Sequence, residues 1–143
     1  MLAHLLGRAS VPIEVHDELV VAKPAGPGVE ALREAFATWI DVVELTPLGL
    51  IEYHQLVRSV GPGEAAAIAL AAQLGADLVV MDDRLGRKAA HTKGLRVTGT
   101  VGLLVQAQQD GLIKAVWPVV ATMREAGLWI SDELVEKALN MTK

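Results

Sequence analysis

Apolar positions along this chain come in short blocks, alternating between a three-to-four-residue step and a continuous or extended run. Met1 to Leu6 resembles the tail of a helix, with Gly7 as its stop. Ser10 to Ile13 reads as an extended piece turning into a helix that carries Asp17 and Glu18 on its solvent side. Ala25-Gly26-Pro27-Gly28 breaks the pattern. Val29, Leu32, Phe36 and Trp39 then recur at helical spacing, and Ile40 to Leu45 suits a strand. Pro47 opens a further helix, with Leu48, Ile51 and Leu56 on related faces, running to about Val60.

The stretch GPGEAAAIALAAQLGADLVVMDDRLGRKAAHTKGLRVTGT, Gly61 to Thr100, predicts helix, strand, helix, strand. Pro62 suits a first helical position, and Glu64 falls in the first turn, where the helix dipole favours a carboxylate. From Ala65 to Leu74 only Gln73 is polar, which predicts a buried helix closed by Gly75. Leu78 to Met81 is a continuous apolar run of the kind buried in parallel sheets, and Leu95 to Thr98 is a second short strand. Beyond it, Thr100 suits the cap of a helix over Val101 to Asp110 that Gly111 ends. An amphipathic helix runs from Ile113 towards Ala126, Leu128 to Ile130 is extended, and Ser131 caps a last helix. Strands alternating with helices predict a single α/β domain over residues 1–143 with a mostly parallel sheet.

Composition narrows the function classes. Half the 143 residues are hydrophobic (52%), so a sizeable core is expected, and no apolar run is long enough to span a bilayer. The absence of cysteine excludes disulfides and thiolate chemistry, and the cytoplasm is the default compartment. The net charge of −4 argues against a sequence-specific duplex reader, yet Arg84, Arg87, Lys88, Lys93 and Arg96 bunch behind an acidic pair.

That pair, Asp82-Asp83, stands at the carboxyl end of a strand, where open α/β sheets place their ligand sites. With Glu64 it makes three carboxylates that could converge on a hard cation. Each has a plainer reading. Glu64 could simply complement the helix dipole, and Asp82 suits the cap of the helix starting near Arg84. Arg84, Arg87 and Lys88 could be a solvated charged face. His4, His16, His54 and His91 lack metal-type spacing, and no serine sits in a nucleophile-elbow context. Gly61-Pro62-Gly63 lacks the Lys-Ser/Thr of a phosphate loop. Phe36, Trp117 and Trp129 read as core or interface residues, not base-stacking platforms.

Several of these segments together resemble the PIN-domain proteins, in particular a VapC-like branch. The matching residues are Gly61, Gly63 and Glu64; Asp82, Asp83 and Arg84; Ala90, Gly94 and Leu95; and Thr98, Gly99, Thr100, Gly102 and Leu104. VPIEVHDEL, Val11 to Leu19, and AGLWISDELVEKAL, Ala126 to Leu139, extend the likeness over nearly the whole chain. The resemblance implies a three-layer fold with a mostly parallel central sheet flanked by helices. It also implies Mg²⁺ or Mn²⁺ held by clustered carboxylates, an RNA substrate, and often an antitoxin partner. Glu64, Asp82 and Asp83 would be the catalytic and metal-holding carboxylates, Asp82 with the less defined role. Arg84, Arg87 and Lys88 would contact the RNA backbone.

The family's usual opening strand, ending in an aspartate, has no counterpart within these residues. A sheet lacking that strand exposes apolar edges, which predicts a homodimer or higher oligomer and weak or absent RNA cleavage. The rival reading is a non-catalytic PIN-like protein that binds RNA or a partner. The least supported is a small-molecule-binding α/β domain that uses the acidic pair for Mg²⁺.

Overall fold

The computed structural model describes residues 5–21 and 29–142. The expected helix tail at residues 1–4 and the break at residues 25–28 lie outside them, as does His4. Strand β1, Ala9–Pro12, leads into a short helix α1, Ile13–His16, which continues as a wider π-type turn over Asp17–Val21. Then come α2, Val29–Thr38; β2, Ile40–Val43; α3, Pro47–Leu56; α4, Pro62–Leu74; and β3, Val79–Val80. The carboxyl half adds α5, Arg84–Thr92; β4, Val97–Thr98; α6, Thr100–Gln109; α7, Val116–Glu125; and α8, Asp132–Asn140.

The strand pairing is parallel throughout, as the alternation of elements predicts. β1 lies beside β2 with Ala9 opposite Ile40, and β3 beside β4 with Val79 opposite Val97. Among the described residues the strands form two separate pairs instead of one continuous sheet. Helix α4 packs against both β1 and β3, so one helix braces a strand of each pair. Its composition makes this possible. Ala65, Ala66, Ile68, Ala69, Leu70 and Ala71 are all buried, and the alanines let backbones on several sides come close. Gln73, the polar exception, accepts from Thr46 N (2.8 Å) and donates to the Glu44 carbonyl (3.2 Å), tying α4 to the loop after β2.

A core of Leu56, Val60, Ile68, Val79, Met81 and Ala90 gathers around α4. A second, of Val101, Leu104, Val116, Val120, Ile130 and Val135, joins α6, α7 and α8. Ser131 caps α8 by accepting from Leu134 N at 3.2 Å, with Asp132 and Glu133 in the first turn. Ser131→Ala is expected to cost about 1 kcal/mol, read as a lower urea midpoint with unchanged slope. Leu128 to Ile130, expected to be extended, forms no strand ladder, because no described strand runs beside it. Among the described residues no helix is long and apolar enough to cross a membrane.

Candidate functional site

The site is built where β3 ends. Two successive aspartates leave the strand, and the chain turns at once into α5, so their carboxylates are sent to different helix starts. Asp83 has extended backbone and its Oδ2 accepts from Gly86 N at 2.7 Å. It is the cap of α5, a role the sequence assigns to Asp82. Asp82 instead reaches across to the start of α6. Its Oδ1 accepts from Thr100 N at 2.8 Å and its Oδ2 from the Thr100 hydroxyl at 2.5 Å. Thr100 is therefore the first residue of α6, not its cap, and Gly99 precedes it. The correction has a simple cause. Capping of α6 is supplied by a side chain 18 residues earlier in sequence, which no local pattern reveals.

Glu64 comes to the same place from α4. It is half-buried in the first turn, its carboxylate folded back over Gly61. Its Cβ and Cγ lie against Gly86, where an added Cβ would sit 3.2 and 2.9 Å from them. Glu64 and Asp83 thus meet at one buried glycine, one by packing and one by hydrogen bond. Glu18 also approaches the start of α4, 3.7 Å from where a Cβ on Gly63 would stand. Sequence reasoning placed it only on a solvent face, although the VPIEVHDEL segment that carries the resemblance contains it.

Of the three cations, Arg84 and Arg87 line an open cavity of about 460 Å³ together with Asp82 and Thr100. Lys88 is exposed on α5 and lies outside that lining. Gly99 is where Asp82 and Arg87 come closest to backbone: a Cβ there would meet Asp82 Oδ1 at 2.5 Å and Arg87 Nη1 at 2.8 Å. Only a glycine leaves room for both side chains at once. The rest of the lining is apolar and includes Met123, Trp129 and Leu134. Trp129 is 89% exposed, so it is no core residue.

The divalent cation implied by the resemblance can be judged against these donors. Asp82 has both oxygens engaged by Thr100, and one oxygen of Asp83 is engaged by Gly86. The Glu64 carboxylate and the second Asp83 oxygen have no hydrogen-bond partner among the described residues. No three Asp, Glu or His side chains among those residues come together as a metal cage. Such a donor set suits a Mg²⁺-like ion that takes one or two carboxylates and completes its shell with water and phosphate. It does not suit an ion enclosed by protein ligands.

A family model described as a PIN domain matches residues 1–143. No curated protein and no solved structure matches the chain.

Proposed function

We propose that this chain, which belongs to the PIN-domain family, is a Mg²⁺- or Mn²⁺-dependent ribonuclease of the VapC toxin type. The observation that carries the reading is the meeting of Glu64 and Asp83 at Gly86, beside two arginines that line the adjoining cavity. A bound ion of this kind would polarise a phosphate and activate water for attack on it. Glu64 and Asp83 would hold it. Asp82 positions the amino end of α6 through Thr100, and Arg84 and Arg87 draw a phosphate chain towards the acidic rim. An antitoxin protein and a homo-oligomer belong to the same reading.

One observation favours the second reading, a PIN-like protein that binds RNA without cutting it. Asp82 is committed to Thr100, and no three acidic or histidine side chains among the described residues come together around a cation. Calorimetric titration with Mn²⁺, run beside a cleavage assay on single-stranded RNA with and without chelator, separates the two. Saturable Mn²⁺ binding with chelator-sensitive cleavage supports the enzyme. RNA binding with neither leaves the binding protein.

A further inference from the structure

We infer that the cavity beside Asp82 is a nucleotide subsite, in which a base stacks on Trp129 and the adjoining phosphate is held by Arg84 and Arg87. The inference rests on the RNA-directed reading above and adds to it a place and a mode of holding. The cavity, about 460 Å³, is in the range that accommodates one small organic ligand. Its walls differ in kind. They include two guanidinium groups, one carboxylate and a tryptophan that is 89% exposed. Neither arginine has a carboxylate within ion-pair distance among the described residues. Asp82, the acid in the lining, already has both oxygens in hydrogen bonds to Thr100.

The backbone that carries Trp129 is anchored on its carboxyl side despite the exposure of the indole. Its neighbour Ile130 is 7% exposed and sits in the core of α6, α7 and α8. The Arg124 guanidinium donates to the Ile130 carbonyl from Nε (3.0 Å) and Nη2 (2.5 Å), and to Asp132 at 2.7 Å. Ser131 then caps α8. The indole therefore projects from a segment anchored on its carboxyl side, which lowers the backbone part of the ordering cost when a ligand arrives.

These features select the occupant. A ligand must offer negative charge to the two arginines and a flat apolar face to the indole. A nucleotide does both. An apolar protein helix laid over Trp129 and Leu134 would desolvate Arg84 and Arg87 with Asp82 as the one carboxylate in the lining, leaving net positive charge buried, which is costly. Stacking on an aromatic face is tolerant of base identity, so the subsite would hold single-stranded RNA without strong sequence preference.

The test uses the full chain and a fluorescein-labelled, uncleavable 2′-O-methyl hexanucleotide, with the label's anisotropy as the binding signal, tryptophan emission as a second readout in wild type, and an abasic strand of equal length as control. The oligonucleotide is expected to quench emission, and Trp129→Ala to weaken binding roughly five- to a hundredfold. Trp129→Phe should restore most of the loss. Wild type should bind the abasic strand about as weakly as Trp129→Ala binds the normal one. Arg84→Ala and Arg87→Ala should weaken both strands and flatten the salt dependence. If Trp129→Ala binds like wild type while the arginine variants lose affinity, the platform is wrong and RNA binding stands. If neither strand binds at all, both readings fall. If Trp129→Ala dissociates an oligomer in light scattering and leaves oligonucleotide affinity unchanged, the face docks protein and the inference is overturned.

Discussion

Asp83→Asn is expected to weaken Mn²⁺ binding, and any Mn²⁺-dependent RNA cleavage, at least about a hundredfold, because loss of even an outer partner of a metal ligand costs ten- to a hundredfold. Folding stability should stay within about 1 kcal/mol of wild type, because asparagine caps a helix about as well as aspartate. Asp83 has two duties that its two oxygens divide. Oδ2 accepts from Gly86 N and starts α5, while the other oxygen has no hydrogen-bond partner among the described residues. The amide keeps the first duty and drops the second. Relief of repulsion from adjacent Asp82 partly offsets the lost attraction between the carboxylate and the helix dipole. Asp83→Ala should lose both duties, adding about 1 kcal/mol of destabilisation from the missing cap. Calorimetric titration and urea unfolding of the two variants together decide the matter. Unchanged Mn²⁺ affinity in Asp83→Asn would reduce Asp83 to a helix cap and leave the binding protein as the surviving reading.

The helices were legible because their signals are local. Pro62 at the start of α4, the alanine run within it and Gly75 in left-handed backbone (φ +61°) at its end all act within a few residues of one another. The same holds for Ser131 and for Gly111 after α6. The strands were legible as extended segments but not in their extent. β3 and β4 pair over only two residues each, and a helix begins within four residues of the end of each.

The site was half legible. Three acids at element ends pointed to the carboxyl end of β3, where Glu64 and Asp83 both touch Gly86, but the division of labour between Asp82 and Asp83 was not in the local pattern. Adjacent aspartates are equally good caps for the helix that follows, and the choice was made by Thr100, brought in by the pairing of β3 with β4. For Trp129 the structure removes the core half of the expectation, core or interface, for a related reason. In Leu128-Trp129-Ile130 any apolar residue could be the anchor, and the structure buries Ile130 and leaves the larger tryptophan outside. That outcome depends on Arg124, whose guanidinium grips the Ile130 carbonyl. Side-chain size predicts burial on average, whereas here the Ile130 carbonyl is also held by two hydrogen bonds from the Arg124 side chain, which the local sequence does not reveal.

Gly86→Ala is the second large effect expected, and its sign runs against helix propensity. In the first turn of an isolated helix, alanine for glycine should stabilise by up to about 1 kcal/mol. Here the new Cβ would stand 2.5 Å from Met81 Sδ and 2.9 Å from Glu64 Cγ, both closer than contact allows. Met81 is 7% exposed within the core around α4, so its thioether has little room to retreat. Overpacking of this kind costs about 1–3 kcal/mol, which outweighs the propensity gain. The easier movement is for Glu64 to swing outward, since its carboxylate is the less buried of the two neighbours. A net loss of about 1–2 kcal/mol in urea unfolding is therefore expected, with a disproportionate fall in Mn²⁺ affinity as Glu64 parts from Asp83. Gly86→Val should deepen both effects. A Gly86→Ala protein more stable than wild type, with Mn²⁺ affinity intact, would mean that Glu64 and Asp83 are not joined through this glycine.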